Sequence, residues 1–166
     1  EFLEWFRKNF SKEKSYLIVV NTIGKSINLY SLFKNNLKDE IIGFSEYLVN
    51  DRKIPQLQRI DKLAEYFFRK ELLPLIHLST NIIPRQRLYR INFLKNFLKK
   101  GGKAIVISTQ VVEAGVDLDF DVVIRDIGPL DSIVQVAGRC NRNNEKKVGE
   151  FFVLKLCSGC AKYVYG

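Results

Sequence analysis

Five short runs of unbroken apolar residues, rich in branched and aromatic side chains, constrain this sequence most: 16–21 (YLIVVN), 75–79, 104–108 (AIVIS), 122–125 (VVIR) and 151–155 (FFVLK). A strand buried on one face alternates apolar with polar residues, whereas a strand covered on both faces reads as a continuous apolar run. Helical patterns lie between the runs, at 25–37, 56–71 and 84–99, with Pro84 suited to a first helical turn and Gly101-Gly102 to a stop. The last pattern puts Leu88, Ile91, Leu94 or Lys95, and Leu98 on one stripe. A further helix carrying residues 135–142 falls between the fourth and fifth runs. Buried strands alternating with helices predict an α/β fold, a three-layer, open, mostly parallel sheet with helices on both faces. Residues 40–70 are more than a plain connection needs and are expected to form a surface helical insertion.

The chain of 166 residues suffices for one domain with a full core, and a hydrophobic content of 46% with four prolines excludes a disordered or collagenous class. No apolar run approaches the ~20 residues that span a bilayer, and the opening Glu1-Phe-Leu-Glu lacks a signal-peptide pattern. The expected location is therefore the cytoplasm, with no membrane partner. The sequence contains no methionine, so Glu1 is not read as a natural start and the chain is expected to be a single domain, 1–166, of a longer protein. Cys157 and Cys160 form one C-x-x-C with no second pair, and a zinc site would need two more ligands, which only Cys140 and His77 could supply. Buried or bystander thiols and no metal site are expected. His77 lies in the apolar run Pro74-Leu-Ile-His-Leu78 and is read as a satisfied strand histidine.

The formal charge of +9 is unevenly placed: residues 1–103 hold 20 Lys and Arg against 10 Asp and Glu, and residues 104–166 hold 7 against 8. The densest stretch, 84–103, carries Arg85, Arg87, Arg90, Lys95, Lys99, Lys100 and Lys103 and no acidic residue. Such a stripe suits a phosphate backbone. The alternative is a solvated helix whose last lysines offset the macrodipole.

Ligands of open parallel sheets bind at the carboxyl ends of the strands, so chemistry is sought in the turn after the third run, 108–121 (STQVVEAGVDLDFD). Ser108 and Thr109 offer hydroxyls and a helix start to an anion, Gly115 permits a backbone turn, and Asp117 follows it. Asp117, Asp119 and Asp121 could hold a divalent cation, but no fourth ligand is evident and hydrogen bonding to ribose or to arginines is preferred. Residues 135–142 read QVAGRCNR, and a helical wheel puts Gln135, Gly138, Arg139 and Arg142 on one face, with Ile133, Val136, Ala137 and Cys140 opposite. Two guanidiniums one turn apart suit a triphosphate, unless they are merely a solvated basic face. Gly24-Lys25-Ser26 follows a strand as the end of a P-loop does, but the position of that loop's first glycine is Val19, inside the strand. No strand ends in an acidic pair fit for magnesium, since Asp39-Glu40 sits in a charged helix end. The chain reads as half an ATP site.

The segments 108–121 and 135–142, one strand apart, resemble motifs V and VI of superfamily 2 helicases, in the order and spacing of their second RecA-like domain. The glutamate after Val111-Val112, the ending Asp117-Leu-Asp-Phe-Asp121 and the run Gly138-Arg-Cys-Asn-Arg-Asn143 are most similar to the CRISPR-associated helicase-nuclease of type I systems. The resemblance covers 16–155 and is most specific over 104–143. It implies a RecA-like (P-loop NTPase-like) fold, with ATP and Mg2+ held between two such domains, the first supplying the P-loop lysine and the magnesium aspartate. Arg139 and Arg142 would be arginine fingers, with Gln135 orienting a finger or the phosphate. Gly115, Asp117 and Gly138 would touch the nucleotide. Ser108, Thr109 and Gln110 would face the nucleic-acid backbone, joined from the second-strand edge by Ser79, Thr80 and Arg87. The partners implied are single-stranded nucleic acid with DNA favoured, an N-terminal RecA-like domain and a nuclease domain of the same protein, and a CRISPR effector complex in antiviral defence. A chain with one histidine cannot itself contain the histidine-aspartate nuclease. The alternatives are an RNA helicase of the same superfamily and a non-catalytic RecA-like nucleic-acid-binding module.

Overall fold

The structure, a computed structural model, describes residues 2–44, 56–113, 116–141 and 149–156. The elements run α1 (Phe2–Asn9), β1 (Tyr16–Val19), α2 (Ile23–Asn36), β2 (Ile41–Gly43), α3 (Gln56–Arg69), β3 (Leu73–Leu78), α4 (Pro84–Lys99), β4 (Ile105–Ser108), a 3-10 turn (Gln110–Val112), β5 (Val122–Asp126), α5 (Leu130–Ala137) and β6 (Glu150–Leu154). The six strands form one sheet in the order β2-β3-β4-β1-β5-β6, and every neighbouring pair is parallel. All five apolar runs are strands of this sheet.

Side chains of a strand alternate between faces, and here they sort the core in two. Leu17, Val19, Ile76, Leu78, Val106 and Val123 pack with Ile60, Phe67, Phe93, Phe97 and Val136 from α3, α4 and α5. Tyr16, Ile18, Leu75, Ile105, Ile107 and Ile124 pack on the other face with Phe6 and Phe33 from α1 and α2. Neither face of the central strands meets water, which is why their sequences carry no polar alternation. Helix α1 is absent from the sequence-based expectation, although Phe2, Phe6 and Phe10 recur at helical spacing. Its Phe6 ring lies 4.8 Å from Phe33 and 5.1 Å from Tyr16.

Two expectations are corrected. Residues 40–70 are not a superficial insertion: they carry the edge strand β2 and helix α3, the crossover that two parallel strands require. Ile60, Leu63, Ala64 and Phe67 of α3 are each no more than 5% exposed. On α4 Leu94 is buried and Ile91 and Leu98 pack half-buried against the core as expected, but Arg90, Phe93 and Phe97 are buried as well and Leu88 is 56% exposed. Rings decide this rotation. Phe93 lies 5.1 Å from Phe97, 5.8 Å from Phe67 and 4.8 Å from Phe44, and aromatic rings bury more area than the leucine stripe would. The basic residues of 84–103 therefore do not share one face. Arg90 turns inward and donates to the His77 carbonyl oxygen at 2.6 Å, Lys100 pairs with Asp61, and Lys103 with Asp121. The glycine stop is as expected: Gly101 takes φ 83°, its N–H reaches the Leu98 carbonyl, and the Gly102 N–H reaches that of Phe97.

His77 is the satisfied strand histidine the sequence predicts. Its Nε2 lies 2.9 Å from the Ser26 hydroxyl of α2, which itself donates to the Ile23 carbonyl. Burial, reinforced by the Arg90 guanidinium, lowers its pKa from 6.5 to about 4. Above pH 6.5 the ring is neutral whether the chain is folded or not; between 6.5 and 4 the unfolded chain binds a proton that the folded one refuses, so stability falls as pH falls. Urea unfolding from pH 7 to 4 is expected to show this slope in the wild-type chain and a shallower one in His77→Gln. Equal slopes would mean that His77 is protonated in the fold.

Candidate functional site

A parallel sheet sends the carboxyl ends of its strands to one edge. Val20 N–H bonds Ser108 O at 2.9 Å and Thr109 N–H bonds Leu78 O at 3.1 Å, so the ends of β1, β3 and β4 lie side by side. They open an exposed groove of about 580 Å³ lined by Asn21, Thr22, Ile23, Thr80, Thr109, Gln110 and Val111. Gln110 Nε2 spans its floor to Asn21 O at 3.2 Å. Of the residues expected to face nucleic acid, Thr80, Thr109 and Gln110 line this groove. Ser79 and Ser108 are fully buried: the Ser108 hydroxyl donates to Thr109 O at 2.9 Å and that of Ser79 to Asn81 Oδ1, leaving only their backbone near the edge. Arg87 folds back toward the carbonyls of Ser79 and Ile82 at 3.4 and 3.5 Å.

The P-loop look-alike is part of the scaffold. Thr22 caps α2 by accepting from Lys25 N–H at 3.2 Å, and Lys25 Nζ lies 2.5 Å from Asp126 Oδ2, their side chains 14% and 1% exposed. Ser26 points at His77. This lysine holds β5 to α2 and is not presented to a phosphate.

The turn 108–121 does not remain at the ligand edge. Because β4 and β5 are parallel, the chain must descend to the opposite edge before β5 starts, and Asp121 lies there. It accepts from Ser15 N–H at 2.7 Å, Ser15 Oγ at 2.6 Å and Lys103 Nζ at 3.1 Å, pinning the starts of β1, β4 and β5 together. Asp121 is thus withdrawn from any cation site shared with the exposed Asp117, and no cluster of three metal-ligating side chains occurs among the described residues. Gly115 lies outside them.

Residues 135–142 are not one helix. Helix α5 ends at Ala137 with Gly138 as its cap, and Cys140 then pairs with Phe120 as an isolated bridge. Phe120 N–H bonds Arg139 O, and Asn141 N–H bonds Phe120 O, both at 3.0 Å; Asn141 has φ 47°. The single helix face predicted for Gln135, Gly138, Arg139 and Arg142 is therefore replaced by a helix end carrying Gln135, which is exposed, and a tight turn carrying Gly138 and Arg139, whose N–H bonds Val136 O at 2.9 Å. Arg142 lies outside the described residues. Arg139 is half-buried, its Nε donating to Val112 O at 3.2 Å and its Nη2 to Glu113 O at 3.0 Å. The two motif segments thus meet directly.

Sequence reasoning missed Arg125. It is fully buried at the end of β5, with Nη1 on Asn21 Oδ1 at 2.6 Å and on Asp126 O at 2.8 Å, and Nη2 on Ser132 Oγ at 2.7 Å and Glu113 Oε1 at 3.4 Å. Ser132 Oγ also lies 2.5 Å from Glu113 Oε1. The available signal was a charged residue closing the run VVIR in a strand covered on both faces, where a charge must be paired.

A six-stranded parallel sheet between helical layers, with the segment 139–141 bonded through its backbone to Phe120 and through the Arg139 side chain to the turn after β4, is the arrangement of a RecA-like helicase domain. Within that class, residues 12–145 match the family described as CRISPR-associated nuclease/helicase Cas3, C-terminal, and the chain belongs to it. The Cas3 nuclease/helicase of Streptococcus thermophilus is 28% identical over 156 residues, 89% of this chain and 16% of that protein. That of Haloferax volcanii is 68% identical over 41 residues, 25% of this chain and 4% of its own. In fold the chain is similar to T. fusca Cas3-ATP, with TM-score 0.62 and 21% identity over 95% of this chain and 16% of that one. It is also similar to the Mss116p DEAD-box helicase domain 2 bound to an RNA duplex, with TM-score 0.53 and 19% identity over 92% of this chain and 45% of the other. The chain thus spans a small part of its curated relatives. Among the described residues no helix is long and apolar enough to cross a membrane.

Proposed function

We propose that this chain is the second motor domain of an ATP-dependent helicase or translocase acting on single-stranded nucleic acid, DNA in preference to RNA, in CRISPR antiviral defence. It contributes arginine fingers to an ATP site completed by another RecA-like domain of the same protein. The observation that carries this reading is the Arg139 guanidinium bonded to the Val112 and Glu113 carbonyls. It fixes the arginine-bearing segment against the turn that also presents Gln110 to the open groove. One face of that turn serves phosphate chemistry and the other serves the strand. Lys25 is committed to Asp126, so the P-loop lysine and the magnesium carboxylate fall to the partner domain.

MgATP, when bound, supplies the γ-phosphoryl group and the charge that develops on it. Arg139 and Arg142 stabilise that charge as planar, permanently protonated donors, and Gln135, exposed on the last turn of α5, orients them. Nucleotide contact is assigned to Gly138 and Asp117 and, beyond the described residues, to Gly115. Thr80, Thr109, Gln110 and the backbone at Ser79 and Ser108 take phosphates of the strand, with Arg87 at the rim; such contacts ignore base identity, as a motor requires. The ATP, AMPPNP and ADP forms of T. fusca Cas3 support ATP as the nucleotide, and the likeness to a CRISPR RNA-guided surveillance complex supports an effector complex as partner. The purified 166-residue chain is expected to show no ATP turnover with or without oligo-dT, whereas the full-length protein turns ATP over when oligo-dT is added. Robust turnover by the pure chain would contradict the half-site reading.

A further inference from the structure

We infer that Arg125 is a positioning residue that couples strand occupancy in the groove to the arginine fingers, an inference that rests on the function proposed above. Its guanidinium joins four segments: Asn21 just past the end of β1, Glu113 in the turn after β4, its own neighbour Asp126, and Ser132 in the first turn of α5, where Ser132 Oγ also meets the Glu113 carboxylate directly. From there one contact leads to each functional side. Asn21, whose Oδ1 accepts from Arg125, offers its backbone carbonyl to Gln110 Nε2 in the groove. Glu113, whose carboxylate faces Arg125, offers its backbone carbonyl to Arg139 Nη2. Ser132 adds a second path, because it sits on the helix whose far end leads into Gly138-Arg139.

Stability alone does not account for an ion here. Arg125 occupies the same sheet face as Val123, and replacing a buried ion pair by packed apolar side chains is commonly neutral or stabilising. A charge network with partners at both sites provides what an apolar residue cannot, a directional link whose rearrangement on one side alters the other.

The test uses the full-length protein and two variants, Glu113→Gln and the double Arg125→Met/Glu113→Gln; the double removes both charges and leaves no lone buried ion. ATP turnover is measured without and with saturating oligo-dT, together with oligo-dT affinity. Both variants are expected to bind oligo-dT within about threefold of wild type yet lose at least about tenfold of the strand-stimulated kcat, with KM for ATP little changed. A merely structural role would weaken oligo-dT binding, lower kcat and raise KM together. Stimulation retained in a folded variant, or lost in step with oligo-dT affinity, overturns the inference. If the double variant does not fold, Glu113→Gln alone decides by the same readout. A wild-type protein that oligo-dT does not stimulate overturns the proposed function as well, whereas a stimulated wild type with equally stimulated variants overturns only the coupling role.

Discussion

In the full-length protein, Arg142→Ala is expected to lose about a thousandfold in ATP turnover while binding single-stranded nucleic acid within a few-fold of wild type. A loss of that size corresponds to about 4 kcal/mol of transition-state stabilisation, the scale of a finger that meets the transferring phosphoryl group and not of a peripheral charge. Arg139 and Arg142 differ in the rest of their work. Arg139 also holds the turn 110–113 through the Val112 and Glu113 carbonyls, so Arg139→Ala is expected to disturb strand binding through Gln110 as well as turnover. Arg139→Lys, which keeps the charge but loses the planar fork, is expected to resemble the alanine variant more than wild type. Filter binding of oligo-dT alongside steady-state ATP turnover separates these effects. Equal losses of turnover and binding in Arg142→Ala would remove that residue from the finger role.

Lys25→Ala is expected to destabilise the chain by about 3–5 kcal/mol, the usual effect of stranding one member of a buried ion pair. Asp126, 1% exposed, would keep the Leu156 N–H at 3.1 Å but lose its cationic partner. At this chain length each kcal/mol moves the melting temperature by roughly 2–4 °C, so a fall of about 10 °C is expected in a thermal melt. A P-loop lysine would behave in the opposite way, leaving stability intact and abolishing nucleotide binding. An unchanged melt with loss of ATP binding by the full-length protein would restore Gly24-Lys25-Ser26 as a phosphate site.

The strands were legible because burial on both faces leaves a continuous apolar run, and the alternation of Leu17 and Val19 with Tyr16 and Ile18 between two cores is the physical origin of that signal. Strand β2 was not legible. Three residues at a sheet edge, Ile41–Gly43, make too short a run to stand out within 40–70. The residue types of 135–142 suggested phosphate chemistry, but they did not give the geometry: a helical wheel has no knowledge of the Phe120–Cys140 bridge that follows the end of α5 at Ala137. The position of Asp121 was accessible in principle, since two parallel strands in succession force their connection to end at the far edge. Arg125 announced that it needed partners. Asn21 stands 104 residues away along the chain, and only the sheet order β1-β5 brings it within 2.6 Å.

The measurement that bears most directly on the trans-acting arginines is single-turnover ATP cleavage, with nucleotide affinity, by the full-length protein carrying Arg139→Ala and Arg142→Ala together. Fingers that act on the transition state are expected to leave ATP affinity within about tenfold of wild type and to slow cleavage at least about a thousandfold. Cleavage near the wild-type rate, or an affinity that falls in proportion to cleavage, would contradict the assignment of these arginines to the second half of an ATP site.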